Sequence, residues 1–91
     1  MEIEKTNRGF NIAGFEDSNG EECSLQVSSS AIEPKIWLGI DNPKPMMLTG
    51  NGWEAVPLHK DVMLSGRMHL TIDQVKELLP HLNKFVETGE L

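Results

Sequence analysis

The fold of this chain is decided by the stretch Leu64-Ser65-Gly66-Arg67-Met68-His69-Leu70-Thr71, together with the amphipathic segment that follows it to Val86. Residues 67–70 alternate between polar and apolar side chains, which predicts a half-buried strand. Thr71 is a favourable N-cap residue, and Gln74 lies three positions later, at the spacing of a capping box. The stretch therefore predicts a strand that leads directly into a helix.

The predicted helix carries an apolar face at helical spacing, formed by Val75, Leu78, Leu79, Leu82, Phe85 and Val86. Pro80 lies inside this pattern, and proline in a helix interior costs about 3 kcal/mol because it removes a donor and clashes one turn back. We therefore expect a kink or a break near Pro80, and a helix end at Gly89. Leu82→Ala should cost roughly 2–5 kcal/mol, because the predicted core consists of Met68, Leu70, Val75, Leu78, Leu82 and Phe85.

Short strands are predicted upstream of this stretch. Residues 9–28 predict a hairpin, because Asn19 and Gly20 can supply the positive φ angles of a tight turn. Residues 35–40 are apolar at nearly every position, as expected of a central strand. Further extended segments are predicted at 46–48, 53–58 and 62–64.

Ninety-one residues are enough for one domain, 1–91, in which residues 1–6 are expected to be frayed. The predicted fold class is α+β, with an antiparallel sheet of about five short strands packed on one C-terminal helix that is kinked or broken near Pro80. A helix on one face leaves the other face either wet or paired with another copy. We therefore expect a homo-oligomer.

The net charge of the chain limits the classes of partner that it can bind. There are 8 Lys+Arg and 14 Asp+Glu, which gives a net charge of −6. Such a charge is repelled by nucleic-acid phosphates and anionic lipids, so we expect no direct contact with either. The sequence has no run of about 18 apolar residues, so no membrane span is predicted. Its single cysteine, Cys23, suits a reducing compartment, and a cytoplasmic location is expected.

The sequence carries no recognisable enzyme motif. Its three histidines, His59, His69 and His81, do not stand at metal-ligand spacing, and no CxxC, HExxH, Walker or GxGxxG pattern occurs. Cys23 belongs to the apolar side of its strand, which disfavours a role as nucleophile. We therefore expect no enzymatic activity, no metal and no cofactor.

Polar residues on two strands are candidates for a ligand site. Arg67 and His69 are two positions apart and share one strand face, where a guanidinium and an imidazole can bind a phosphate or a carboxylate. The alternative is a surface arginine paired with a neighbouring acid. Gln26 and Ser28 share a face of the second strand. Ser29 and Ser30 follow in the turn and can add hydroxyl groups to the same site, although serine also caps strand ends.

Two tryptophans and an acidic turn are candidates for an interface. Trp37 is expected on the open face of the sheet, where it marks an interface or stacks on a base, unless a loop within 41–61 buries it. Trp53 is the second aromatic candidate. The acidic tip of the first hairpin consists of Glu16, Asp17, Glu21 and Glu22. It can meet a basic groove on a partner, or it is simply a solvated turn.

Four segments of the chain carry a family resemblance: Phe15-x-Asp17-x-Asn19-Gly20, Cys23-Ser24-Leu25-Gln26-x-Ser28-Ser29, Ile36-Trp37-Leu38-Gly39, and Arg67-Met68-His69-Leu70-Thr71 before the Leu-rich helix. With these segments the chain resembles a group of small phage and prophage proteins over residues 10–88. The resemblance implies a phage accessory protein that acts against host defences or redirects host machinery in the host cytoplasm.

The sequence thus predicts a non-enzymatic binding protein of phage type. Its partner would be a host protein or a small anionic ligand, and it would block or sequester a host defence component such as a nucleotide-derived signal or a nucleic-acid-binding effector. The alternative is a structural or regulatory protein-interaction module without a small-molecule ligand.

Overall fold

The computed structural model describes residues 1–28 and 32–91. Within these residues the elements are β1 (Ile3–Lys5), β2 (Asn11–Glu16), β3 (Glu22–Val27), β4 (Lys35–Ile40), β5 (Met46–Thr49), β6 (Gly52–Ala55), β7 (Gly66–Thr71) and α1 (Ile72–Thr88). Five strands form an antiparallel sheet in the order β1-β2-β3-β4-β7, and β5 pairs with β6 in a separate two-stranded sheet. The α+β class predicted from the sequence is confirmed.

The membership of the main sheet differs from the prediction. Residues 3–5, expected to be frayed, pair with β2 as an outer strand, with Ile3 opposite Ala13. The extended segments predicted at 46–48 and 53–58 were expected to add to the main sheet. Residues 46–55 instead form their own hairpin, which is closed at its base by a 3.1 Å hydrogen bond from Val56 N to Pro45 O. Residues 62–64 lie in the loop before β7 and not in a strand. Proline-rich residues 43–45 direct the chain out of the sheet after β4.

Strand β4 is an internal strand of the sheet, paired with β3 on one side and with the outer strand β7 on the other. The two strands pair over six residues, from Lys35 opposite Thr71 to Ile40 opposite Gly66. Gly39 makes this pairing possible, because its φ is +152° and a Cβ there would collide with the carbonyl oxygen of Gly66 and lie 2.8 Å from the Cα of Arg67. Only glycine allows the two backbones to approach so closely at this point.

The strand register separates the sheet into two faces, as the alternating sequence predicted. The apolar face carries Cys23, Leu25, Ile36, Leu38, Met68 and Leu70. The opposite face, which we call the polar face, carries Ser24, Gln26, Trp37, Arg67 and His69.

The start and end of α1 follow the sequence signals. Thr71 Oγ1 accepts a 3.2 Å hydrogen bond from Gln74 N, and Gln74 Oε1 accepts a 3.0 Å bond from Thr71 N, so the predicted capping box is confirmed. Gly89 ends the helix in the left-handed region, with φ +75°, and donates to Phe85 O. The helix is continuous across Pro80. Of the kink and the break that the sequence left open, the break is excluded.

The core predicted around α1 is wrong for the single chain. Met68, Leu82 and Phe85 are 53%, 53% and 55% exposed, and the only apolar residues that are buried among those described are Ala13 and Cys23. The reason is the position of the helix, which contacts mainly the end of the outer strand β7 and covers the apolar face only in part. A large apolar surface of the chain is therefore exposed.

We predict that Gly39→Ala destabilises the protein by roughly 3 kcal/mol, the upper end for overpacking, because the new Cβ forces β4 and β7 apart. Gly50→Ala is the matched control, since a Cβ at Gly50 meets no atom within 4 Å. Urea unfolding followed by circular dichroism measures both changes. Equal stability of the two variants would contradict the close approach at Gly39.

Candidate functional site

The polar face is centred on Trp37 in the middle of β4. Gln26 lies directly opposite Trp37 on β3, and His69 lies directly opposite it on β7. The indole and imidazole centroids are 5.0 Å apart with a tilt of 36°, and Arg67 Cζ is 5.9 Å from the indole centroid. That distance is within the range of a cation–π contact. We call Gln26, Trp37, Arg67 and His69 the Trp37 cluster.

Asp41 joins this cluster from the end of β4. Its Oδ1 lies 3.7 Å from Arg67 Nη2 and accepts a 2.5 Å hydrogen bond from Ser24 Oγ. The pairing of Arg67 with an acid, which the sequence left as an alternative, is therefore present. Both side chains are about one-third exposed or less, so solvent weakens the pair to an expected contribution of about 1 kcal/mol or less. The guanidinium has five N–H donors, and a single loose contact to Asp41 leaves donors for an added anion.

A shallow concavity of about 240 Å³ opens beside the cluster. Its lining consists of Trp37, Ile40, Asp41, Met63, Leu64, Ser65, Gly66, Arg67 and His69. One wall is thus the loop that precedes β7, and the opposite wall holds the charged and aromatic side chains. The concavity therefore combines one cation, one carboxylate and two flat rings.

Trp37 has an unusual feature, a buried indole N–H. Its Nε1 is inaccessible to solvent and has no hydrogen-bond partner among residues 1–28 and 32–91. Leaving a buried donor unpaired costs about 1–3 kcal/mol. The sequence allowed Trp37 either to be exposed on the open face of the sheet or to be buried by a loop within 41–61. In the structure Trp37 is half-buried beside His69 and the loop 63–65, and the β5–β6 hairpin does not cover it.

The other polar residues predicted for the site are not all brought to the cluster. Ser28 follows β3 on the side of Lys35, to whose carbonyl oxygen it donates a 2.9 Å backbone hydrogen bond. Ser29 and Ser30 lie outside the described residues. Trp53 lies on the separate hairpin, 68% exposed and directly opposite Leu48.

The acidic tip of the first hairpin is a turn held by side-chain hydrogen bonds. Asp17 Oδ1 accepts hydrogen bonds from Asn19 N at 2.8 Å and from Glu21 N at 3.0 Å, so this carboxylate holds the turn. Glu16 and Glu22 lie directly opposite each other across β2 and β3. Like charges in such a pair repel each other, which suits two side chains that extend into solvent.

Sequence reasoning missed three residues that shape the site, namely Ser24, Gly39 and Asp41. Ser24 is 1% exposed although it belongs to the polar face, because its hydroxyl is bonded to Asp41. Its position in an alternating strand predicted exposure instead. The signal that was available is the glycine in a central apolar strand, since such a glycine often marks a close backbone approach.

The described part of the chain gives no support for a metal site or a membrane span. No group of three or more His, Cys, Asp or Glu residues in residues 1–28 and 32–91 is arranged to hold a metal ion. In the same residues no helix has both the length and the apolar character needed to cross a membrane.

Cys23 is separated from the Trp37 cluster by the sheet, since it lies on the apolar face and is 5% exposed. Burial raises the pKa of its thiol above the ordinary value of 9.0, and the negative charges of Asp17 and Asp41 raise the pKa further. The thiol form is therefore favoured in the folded protein, and the reactive thiolate is suppressed.

We predict that Cys23 of the folded protein reacts with a disulfide reagent at pH 8 far more slowly than in denaturant. Because the folded pKa lies above the unfolded one, the stability from this group is fully present below pH 9 and is lost as the pH rises through the folded pKa. Thiol titration and urea unfolding between pH 8 and pH 10.5 measure the two effects. Rapid labelling without denaturant would contradict the burial of the thiol.

Comparison with known proteins identifies no relative of this chain, so a functional assignment depends on the geometry described above. The chain matches no protein-family model, no curated protein and no solved structure.

Proposed function

We propose that this chain is a small non-enzymatic binding protein that holds an anionic ligand with a planar ring, of the nucleotide class, at the Trp37 cluster. The observation that carries the proposal is the placement of Arg67 beside the rings of Trp37 and His69 at one concavity. A nucleotide has both of the groups that such a site can recognise, a phosphate and a flat base.

Arg67 is the group that recognises the anion. A guanidinium offers parallel N–H donors that match two oxygens of a phosphate or a carboxylate. Its present partner, Asp41, is 3.7 Å away and is also bonded to Ser24. A phosphate can therefore take over Arg67 while Asp41 keeps its bond to the Ser24 hydroxyl, so that no buried group loses its only partner.

Trp37 and His69 supply the surface for the ring. Stacking of a base on an aromatic side chain contributes about 1–3 kcal/mol. The concavity of about 240 Å³ is smaller than the usual range of about 300–1,000 Å³ for small-molecule pockets, so a nucleotide would be only partly enclosed. Gln26, opposite Trp37 in the register, is placed to hydrogen-bond a polar edge of the ring.

Binding without turnover suits the chemistry on this face. The only thiol of the sequence is buried on the other side of the sheet. On this proposal the protein acts by occupancy, as the resemblance to small phage proteins implies: it sequesters a nucleotide-derived defence signal of the host, or blocks the host protein that uses one, in the host cytoplasm.

We predict that the protein binds at least one of adenosine monophosphate, ADP-ribose or a cyclic dinucleotide, and that Arg67→Ala weakens this binding by roughly tenfold to a hundredfold, the loss expected for a charged hydrogen bond. Isothermal titration calorimetry measures the affinities. Arg8→Ala is the matched control, because Arg8 is exposed in the turn before β2. Uncharged adenosine should bind more weakly than its monophosphate.

The place of binding is tested separately with fluorescence in a Trp53→Phe background, where Trp37 is the only remaining indole. Ligand should change the emission of Trp37 with the affinity measured by calorimetry. A panel that gives no heat with any nucleotide would contradict the proposal, and so would binding that Arg67→Ala leaves unchanged.

The alternative is a protein-interaction module without a small ligand, and the β5–β6 hairpin favours it. Leu48 and Trp53 lie opposite each other on one face of this hairpin, 69% and 68% exposed. Aromatic residues of this kind are enriched at protein interfaces.

On this alternative, Trp53→Ser abolishes capture of a host protein from lysate by the immobilised chain, whereas Arg67→Ala retains it. Mass spectrometry of the captured fractions provides the measurement. Capture that depends on Arg67 and not on Trp53 would contradict the alternative and would favour a partner at the Trp37 cluster.

A further inference from the structure

The single chain exposes more surface than a compact protein of its mass. Its accessible surface is 7640 Å² for 10.2 kDa, whereas a compact monomer of this mass exposes about 5,300 Å². The radius of gyration is 16.4 Å, compared with about 12 Å for a compact chain of this length. The excess of about 2,300 Å² is surface that a monomer of ordinary packing would bury.

Part of this exposed surface is the apolar face of α1. Leu79, Leu82 and Phe85 are 47%, 53% and 55% exposed, and Val86 is 83% exposed. A helix with one apolar stripe is stable in water when that stripe is covered by another element. Among residues 1–28 and 32–91, β7 is the strand that α1 mainly contacts, and the second half of the helix stays exposed.

A groove continues this surface onto the sheet. Its volume is about 380 Å³, and it is lined almost wholly by apolar groups. The lining residues are Val27, Pro34, Lys35, Ile36, Leu70, Thr71, Ile72, Val75, Lys76 and Leu79. The groove and the apolar stripe of α1 together form one continuous patch, which we call the helix surface.

The stripe of α1 has the spacing of a coiled-coil seam. Positions a and d of successive heptads are Ile72, Val75, Leu79, Leu82 and Val86, and the preceding g positions are Leu78 and Phe85. The carboxylates Asp73, Glu77 and Glu87 all fall at positions b and f, on the opposite side of the helix. Pro80 also falls at a b position. The a, d and g positions therefore carry no charge, although the whole chain has a net charge of −6. The cation Lys76 stands at the flanking e position, where it lines the groove.

We propose that the helix surface is covered by a second copy of this chain, with α1 of each copy packed against α1 and the groove of the other across a two-fold axis. A self-complementary apolar stripe meets the requirement of such an interface, in which the same residues contact each other from both sides. Obligate homodimers bury about 1,000–2,500 Å² on each subunit, and the excess of about 2,300 Å² lies within this range.

The test is the mass of the full-length protein in solution. Sedimentation velocity at 5–100 µM should give a dimer, or a larger even assembly, of the 10.2 kDa chain. The melting temperature should rise with protein concentration, because association stabilises only the folded state. A 10.2 kDa species throughout, with a melting temperature independent of concentration, would overturn the proposal.

A charge on the seam should dissociate the assembly. Leu82→Glu places a carboxylate at a d position and should raise the dissociation constant roughly a hundredfold or more, since an unpaired charge is costly to bury. His81→Glu adds the same carboxylate at an exposed c position and should keep the mass of the wild type. Circular dichroism shows whether each variant folds, and the concentration dependence of the wild-type melting temperature remains decisive if Leu82→Glu does not.

A third variant separates the helix surface from the exposed hairpin. Trp53→Ser should leave the assembly intact if α1 forms the interface. An assembly that Trp53→Ser dissociates and Leu82→Glu does not would place the interface at the β5–β6 hairpin and overturn the proposal. None of these outcomes depends on nucleotide binding, so the test is independent of the function proposed for the Trp37 cluster.

Discussion

The close approach of β4 and β7 is the constraint on which the rest of the structure depends. These strands are separated by 25 residues of chain, yet they pair over six positions, and Gly39 removes the side chain that would keep them apart. The same pairing sets His69 opposite Trp37 and brings Arg67 to the indole. It also fixes the end of β7 from which α1 begins. The candidate site and the helix therefore both depend on one strand pair.

Polar and apolar side chains alternate along the strands, so the two faces of the sheet differ in character. On the polar face a buried serine, a carboxylate and an arginine are linked through Asp41. On the apolar face the side chains are only partly covered, since just two apolar residues among those described are buried. The ligand that we propose at the Trp37 cluster and the second copy that we propose at the helix surface would therefore use different faces of the sheet.

The parts of the fold that were predictable from the sequence rest on local interactions. The capping box at Thr71, the first hairpin and the strand at 35–40 are each encoded within a few residues, and all are present. Of the two residues predicted to supply positive φ angles in the hairpin turn, only Gly20 does so, with φ +83°. The partner of residues 3–5 and the detachment of the β5–β6 hairpin depend on distant pairings, which local patterns do not report. The predicted core failed for a related reason: the periodicity of α1 shows which face is apolar, but not what covers it.

The site was predictable in the same partial way. Alternation correctly placed Arg67 and His69 on one face, and it placed Gln26 on the same face two strands away. It gave no indication that Asp41, beyond the end of β4, reaches Arg67, because that contact depends on how the chain turns at 41–45. The location of Ser29 and Ser30 relative to this site is outside the described residues.

Thr71 is at once the last residue of β7 and the N-cap of α1, so no linker separates strand from helix. In the capping box the backbone N–H of Thr71 donates to Gln74, and the Thr71 hydroxyl accepts a hydrogen bond from the backbone N–H of Gln74. The direction in which α1 leaves the sheet therefore follows from the end of β7 and the two capping-box hydrogen bonds. Only residues 68–71 lie between Arg67 and the first residue of α1, so the candidate site and the helix surface belong to one continuous strand–helix unit.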